Sequence, residues 1–220
     1  MGTDNLHHKR KARSDRDLKR SRAKRAPYER VLIVCEGEKT EPLYFKELVT
    51  HYRLNTANVE ICGNCDSSPK SVLSYAKAQQ ANAMKQGDGF DKVFCVFDKD
   101  CHESYQDTLN AIAQLKGVYQ AIVSVPCFEY WLLLHFEYLT HPYSAIQNRS
   151  VCGLVIKDLK LHLPDYEKSQ NGVFKVLLDK LPDAIKSAKS VLATSERIQS
   201  DNPSTKIHEL IEYLQGLKNG

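Results

Sequence analysis

The sequence predicts an α/β fold built around a parallel sheet, and three features of its pattern indicate this class. Between residues 31 and 139, short strand-like runs alternate with stretches of helical length. Two of these runs are apolar without interruption, as expected for strands that are buried on both faces. Hydrophobic residues make up 42% of the 220-residue chain, which is enough for the core of one domain. Strands that alternate with helices are typical of βαβ units, whose strands lie parallel.

Four strands are expected in this region. The first, Val31–Cys35, and the third, at residues 93–97, are the unbroken apolar runs. Val59–Cys62 and residues 121–123 are shorter candidates for the second and fourth strands. A helix is expected after each strand, with Thr40 as the cap of the first one. The other three helices are expected at residues 69–84, 104–116 and 126–139.

After residue 141 the strand-like runs stop and only helical patterns are evident. Pro164, Pro182 and Pro203 are expected to separate the helices of this region. These helices are expected at residues 151–163, 171–181, 183–197 and 204–217. We therefore expect three parts. They are a disordered basic arm at 1–27, an α/β catalytic core at 28–140, and a helical extension at 141–220 that packs on the core.

The basic arm differs in charge from the rest of the chain. Residues 1–30 hold 11 Lys and Arg against 4 Asp and Glu, whereas the remaining residues hold 20 against 23. Such asymmetry favours a polyanionic partner, for which nucleic acid is the first candidate, although a solvated terminus is an equal alternative. The arm has no interleaved aromatic residues, so contact would be with phosphates rather than bases. The candidate contact residues are Lys9, Arg10, Lys11, Arg20, Arg22, Lys24 and Arg25.

Cysteine usage and hydropathy indicate the cellular compartment in which the protein is expected to work. The seven cysteines are an odd number in a chain too large to need disulfide staples, which is typical of a reduced, cytoplasmic protein. No apolar segment is long enough to span a membrane, so no membrane partner is expected. The polar, basic start is unlike a secretory signal. The sequence does not predict an oligomeric state.

Acidic residues follow two of the predicted strands. Glu36 comes directly after the first strand, and Asp98 and Asp100 come directly after the third. Sites in parallel sheets form at the carboxyl ends of the strands, so these carboxylates are expected to converge if the first and third strands are neighbours. Mg²⁺, or Mn²⁺ in its place, would neutralise them and could promote displacement at a phosphodiester. The alternative is that these acids are ordinary loop or cap residues.

Glu129 shares an apolar helix face with the residues three, four and seven positions further on. A buried carboxylate needs a partner, and a place beside the metal site would provide one. The alternative is an acid in the first helical turn, which the helix dipole stabilises. His135, later in the same segment, is expected to be a core residue rather than a catalytic one.

Three sequence motifs resemble those of RloB-like proteins. The first is V-C-E-G-E-K-T-E-P-L-Y-F at residues 34–45, and the second includes residues 93–100. The third, P-C-F-E-Y-W-L-L-L-H-F at 126–136, is followed by N-P-S-T at 202–205, which is similar to a C-terminal signature of the family. The resemblance covers about residues 30–217.

The resemblance implies a Toprim-like, Rossmannoid core of the kind found in topoisomerases, primases and some nucleases. In such cores, the position of Glu36 serves as general acid or base, or as a metal ligand. The positions of Asp98 and Asp100 bind Mg²⁺. Glu41 would be a further metal ligand, although it follows Glu36 by five residues where related nucleases have four. Lys168 is our candidate for a lysine that stabilises the transition state, and Glu129 would complete the catalytic set.

The resemblance also implies a role and a partner. RloB-like proteins resemble the nuclease effectors of anti-phage abortive-infection or restriction-associated systems, which work with an AAA-type ATPase. The sequence contains no Gly-x-x-x-x-Gly-Lys-Ser/Thr motif, so the ATPase would be a separate protein.

Other functions remain as alternatives. An Asp-x-Asp pair also binds nucleotide-sugar diphosphates in glycosyltransferases, but that function does not explain the basic arm or Glu36. A non-catalytic nucleic-acid-binding subunit would not need all three acids. A receiver-type signalling domain would normally have a single phosphorylatable Asp after its third strand. Cys62 and Cys65 form one Cys-x-x-Cys pair, and without a second pair this is a weak signal for zinc.

Overall fold

The computed structural model describes residues 29–63, 65–99, 102–115, 117–146 and 149–217. Its first half alternates strands and helices as β1 (Val31–Cys35), α1 (Thr40–His51), β2 (Val59–Cys62), α2 (Pro69–Lys85), β3 (Lys92–Asp98), α3 (Tyr105–Gln114), β4 (Tyr119–Val125) and α4 (Phe128–Leu133). Its second half contains α5 (Val151–Leu159), α6 (Val173–Leu177), a 3₁₀ turn (Leu178–Lys180), α7 (Leu181–Ile198), β5 (Ser204–Thr205) and α8 (Ile207–Leu217). The predicted α/β class, with a mostly parallel sheet flanked by helices, is confirmed.

The sheet has the order β2-β1-β3-β4-β5. The first four strands are parallel, and β1 lies between β2 and β3. Because β1 and β3 are neighbours with the same direction, the residues that follow them emerge at the same edge. This neighbour relationship determines where the acidic side chains meet.

Alternating residues of the strands pack into two apolar layers on opposite faces of the sheet. Ile33 and Phe94 belong to the layer that contains side chains of α1, α4 and the helices after residue 150. Leu32 and Cys95 belong to the layer that contains side chains of α2 and α3. Both faces are therefore buried, which explains why β1 and β3 are uninterrupted apolar runs. The boundary between core and extension stays a prediction, although side chains from both sides of residue 140 share the first layer.

The C-terminal part differs from the prediction in one strand. We expected helix throughout 204–217, but Ser204–Thr205 forms β5, which pairs antiparallel with Ser124 and Val125 of β4. The Thr205 and Ser124 hydroxyls lie 3.0 Å apart within this pairing. A two-residue polar strand has no periodicity of its own, so only the exposed edge of β4 makes it a strand.

Several helix boundaries also differ. The helix expected at 171–181 is α6, Val173–Leu177, followed by the 3₁₀ turn. We expected α4 to extend from 126 to 139, but it ends at Leu133, and the buried residues after it are not helical. The helix expected at 151–163 ends at Leu159. Pro182 does not separate two helices but lies in the first turn of α7, where no intrahelical N–H is needed. Apolar patterns report burial, which continues beyond the ends of helices.

Among the described residues, no helix has the combination of length and apolar character that a membrane span requires.

Candidate active-site cleft

A cleft of about 420 Å³ opens at the carboxyl ends of β1 and β3. It is bordered by the loop between β1 and α1, the end of β3, the start of α4 and a loop before α6. Its lining residues are Glu36, Gly37, Glu38, Lys39, Thr40, Glu41, Ser67, Asp98, Phe128, Glu129, Lys168 and Ser169. The structure thus brings together Glu36, Glu41, Asp98, Glu129 and Lys168, five residues that the sequence singled out.

Glu36 joins the ends of the two central strands. Its backbone N–H donates to the Val96 carbonyl at 2.9 Å, which continues the β1–β3 pairing. Its Oε2 accepts from the Asp98 backbone N–H at 3.1 Å, and its Oε1 lies 3.5 Å from His102 Nε2. Only 11% of the Glu36 side chain is exposed. The carboxylate is therefore held at one orientation by the strand that carries Asp98.

Glu41 lies beneath the same loop. A Cβ atom at Gly37 would lie 2.0 Å from Glu41 Oε2, so any larger residue there would require this carboxylate to move. Burial raises the pKa of Glu41 to about 7, and the negative charges of Glu129 and Glu36 contribute in the same direction. Its own backbone N–H and the Lys168 ammonium oppose the shift.

Asp98 ends β3 and is partly buried at the edge of the cleft. Burial raises its pKa well above the ordinary value, and the charges of Glu41 and Glu129 add to this effect. A hydrogen bond from the Phe128 backbone N–H acts in the opposite direction. Two of the carboxylates therefore hold protons more tightly than usual, because they are buried together.

Glu129 is the deepest carboxylate, with 2% of its side chain exposed. Its Oε1 receives two donors, the Lys168 ammonium at 3.2 Å and the Tyr166 hydroxyl at 3.3 Å. Burial lowers the pKa of Lys168, but the attraction of Glu129 outweighs it, so this pKa lies above its usual value. Lys168 is therefore a charged ammonium directed into a group of carboxylates.

Residues 31–214 match the family model described as RloB-like protein. The chain belongs to the RloB-like family. The resemblance in the three motifs is thereby confirmed over most of the chain. No curated protein and no solved structure matches this RloB-like chain.

Not every predicted site residue of this RloB-like protein can be placed. Asp100 lies outside the described residues, as does the whole basic arm with its candidate contacts. The basic residues of that arm and the ligand role of Asp100 therefore stay predictions. His135 is buried against the Trp131 ring and does not line the cleft.

The oxygen donors of the cleft suit a hard divalent cation. Within the described ranges, no three His, Cys, Asp or Glu side chains form a group that could hold a metal ion by themselves. Mg²⁺ is commonly bound by only one or two carboxylates, with water and substrate phosphates completing its shell. Burial is the first cause of the raised pKa values of Asp98 and Glu41, and the charges of neighbouring carboxylates, which a cation would offset, add to it. Oxygen donors of the type that Mg²⁺ prefers therefore line the cleft. Glu36, Glu41 and Asp98 do not form a ready-made three-ligand group, and their role as metal ligands stays a prediction.

Several lining residues were missed at the sequence level. Lys39 and Thr40 stand inside the first motif, where nothing in the pattern marks them as cleft residues. Thr40, expected as the cap of α1, is instead its first helical residue, and Lys39 is at the cap position. Ser67 precedes the cap of α2, and Ser169 follows Lys168. Tyr166 and Ser169 reach the cleft from a segment more than a hundred residues away, and a single sequence contains no signal for that proximity.

Proposed function

We propose that this RloB-like protein is a metal-dependent nuclease that hydrolyses phosphodiester bonds of DNA or RNA. The observation that carries the proposal is the convergence of four buried or partly buried carboxylates with Lys168 in one cleft at the carboxyl edge of the sheet. A single buried acid has many structural explanations. Four buried or partly buried acids in one cleft are costly for folding, and catalytic sites are where such costs are typical.

The residues would divide the work as follows. Asp98 and Glu36, with Glu41 beside them, would hold Mg²⁺ or Mn²⁺, and Asp100 would be a further ligand. The bound metal would polarise the phosphate and lower the pKa of an attacking water. Glu36, held by the Asp98 N–H, can exchange a proton at Oε1. Lys39 and Lys168 line the cleft and can contact phosphate oxygens.

The central test compares the wild type with Glu36→Gln and Asp98→Asn in Mg²⁺. Labelled single-stranded DNA, duplex DNA, RNA and tRNA serve as substrates, with and without the partner ATPase. We expect each variant to cleave at least about 100-fold more slowly, because a positioned acid–base group or metal ligand contributes that much. EDTA should abolish wild-type cleavage.

Asp107→Asn is the matched control, since this exposed carboxylate on α3 does not line the cleft. Full Mg²⁺-dependent cleavage by the Glu36 and Asp98 variants would show that the catalytic assignment is wrong. Nucleic-acid binding without cleavage, by the wild type together with its ATPase, would favour the non-catalytic subunit instead.

We further propose that the protein works in the cytoplasm as the effector of an anti-phage system, with nucleic acid and a separate AAA-type ATPase as partners. The family membership supports this role. The six cysteines among the described residues are all free thiols, as suits a reducing compartment. Growth arrest on expression with the ATPase, absent in Asp98→Asn, is the expected phenotype.

A further inference from the structure

The loop between α5 and α6 forms one wall of the cleft. We refer to residues 164–172 as the strap. It contributes Lys168 and Ser169 to the lining, and its Tyr166 hydroxyl reaches Glu129. Since the strap belongs to the C-terminal helical part, two distant segments of the chain must be held together for the cleft to be complete.

The middle of the strap, at Ser169, is bound to the first residue of α1. The Ser169 backbone N–H donates to Thr40 Oγ1 at 3.1 Å, a contact between residues 129 positions apart. Ser169 has a φ of 69°, in the left-handed region that a serine seldom adopts. Such a conformation persists only where neighbouring contacts maintain it. The Thr40 hydroxyl is the contact made at that residue's own N–H.

The far end of the strap is bound to the same helix. The Glu47 carboxylate accepts hydrogen bonds from the backbone N–H groups of Gly172 and Phe174, the latter at 3.1 Å. Within the strap, the Glu167 N–H donates to Gln170 Oε1 at 3.1 Å, and the Gln170 N–H donates to the Glu167 carbonyl at 3.2 Å. Lys168 therefore lies in a short turn, and the residues that directly follow it are fixed to α1 at Ser169, Gly172 and Phe174.

The side chain of Lys168 needs this support. Its side chain is a long, flexible carbon chain and is 57% exposed, whereas the side chain of its partner Glu129 is only 2% exposed. An exposed lysine gains little from an ion pair unless its backbone is already in place. Thr40 begins α1 directly after the loop between β1 and α1, which we call the acidic loop because it contains Glu36 and Glu38. The hydrogen bond of Thr40 therefore couples the position of Lys168 to that of the acidic loop.

We propose that Thr40 is a positioning residue whose hydroxyl holds the strap so that Lys168 stays directed into the cleft. This inference rests on the proposed nuclease function and goes further by naming how the C-terminal part completes the site. Thr40 acts through Lys168, so its effect falls on the chemical step more than on substrate affinity.

The test compares Thr40→Val with Thr40→Ser. Valine keeps the shape of threonine without the acceptor, whereas serine keeps the hydroxyl. We expect Thr40→Val to lower kcat about fivefold to tenfold with little change in KM, and Thr40→Ser to stay near wild type. Thr50→Val is the matched control, because Thr50 lies on the same helix and its hydroxyl donates only to the Lys46 carbonyl.

A double-mutant cycle with Lys168→Ala gives the decisive comparison. If Thr40 acts through Lys168, Thr40→Val has no further effect on kcat in the Lys168→Ala background. Hydrogen exchange at the Ser169 amide reports the contact without catalysis, and this amide should lose protection in Thr40→Val but not in Thr40→Ser.

The outcomes separate the two proposals. A wild-type kcat for Thr40→Val alongside an impaired Lys168→Ala overturns the inference alone. So does a fully additive cycle, or unchanged protection of the Ser169 amide. No cleavage by the wild type, with Mg²⁺ and the ATPase present, overturns the proposed function and the positioning role with it.

Discussion

Burial and mutual repulsion determine the charge of the acids at the residue scale. Glu41 and Asp98 have raised pKa values because both are withdrawn from water and face other carboxylates. Lys168 reduces this repulsion at Glu41, since its ammonium lies beside Glu129. A group of acids with too little compensating charge destabilises the fold. Such a group also favours the binding of a cation or of protons that a reaction transfers.

His135 allows a residue-scale prediction that is independent of the cleft. Burial lowers its pKa from 6.5 to about 4, although hydrogen bonds to the Trp131 and Leu132 carbonyls oppose the shift. The folded protein therefore keeps this imidazole neutral at pH values where the unfolded chain protonates it. Its contribution to stability falls as the pH drops from about 6.5 towards 4, by on the order of 3 kcal/mol in all.

We expect His135→Leu to lose this part of the acid sensitivity. The measurement is urea unfolding of the wild type and the variant at several pH values between 7 and 4. His141→Gln is the control, because His141 is exposed. Parallel loss of stability in the wild type and His135→Leu would contradict the prediction.

At the element scale, the loop between β1 and α1 depends on close backbone approach. Gly37 leaves no space for a Cβ beside the Glu41 carboxylate. A Cβ at Gly63, which follows β2, would lie 2.6 Å from Pro42 Cγ and 2.7 Å from the Gly37 carbonyl oxygen. The two loops therefore pack against each other through glycines, and this packing places Glu41 under the cleft.

Gly37→Ala should displace Glu41, because the added methyl group would overlap its carboxylate. We expect a loss of about 1–3 kcal/mol in the free energy of unfolding, typical of overpacking, and cleavage at least about tenfold slower. Gly216→Ala in α8 is the control, since no described atom beyond its chain neighbours and its own helix backbone lies within 4 Å of its Cβ position. That substitution should leave the stability unchanged or raise it slightly, because Gly216 lies in the last turn of α8. A Gly37→Ala protein with wild-type stability and cleavage would show that the carboxylate does not need this space.

At the scale of the whole molecule, the cleft is an assembly of both halves of the chain. Glu36 and Asp98 lie at the edge of the sheet, Glu129 lies on α4, and Lys168 lies on the strap. The strap also shares its anchoring helix, α1, with the acidic loop. The C-terminal helices therefore belong to the site as well as to the core.

The basic arm gives the prediction for the whole chain. Deleting residues 1–26 removes 10 of the 31 Lys and Arg residues. We expect weaker nucleic-acid binding with a shallower dependence of log K on log salt. A protein that makes fewer phosphate contacts releases fewer counterions when it binds. Binding titrations between 50 and 200 mM salt measure both quantities. Unchanged affinity and slope would return the arm to the interpretation of a solvated terminus.

Much of this architecture could be predicted from single residues and their spacing. The unbroken apolar runs of β1 and β3 require burial on both faces, so the α/β class followed directly from the pattern. The meeting of Glu36 and Asp98 was expected on the condition that the first and third strands are neighbours, and the structure shows that they are. Gly37 and the acids around it form a local motif, which is why family membership could be inferred from the residues themselves.

Other features exist only through tertiary contact. Ser204–Thr205 is a strand because β4 offers an unpaired edge, and two polar residues have no periodicity that could predict it. The strap reaches the cleft because Thr40 accepts a hydrogen bond from the Ser169 N–H and Glu47 accepts from the N–H groups of Gly172 and Phe174. Local patterns encode which residues are buried and which way a strand runs. The approach of two segments 129 residues apart depends on how the whole chain packs, and that packing determined the Lys168 side of the cleft.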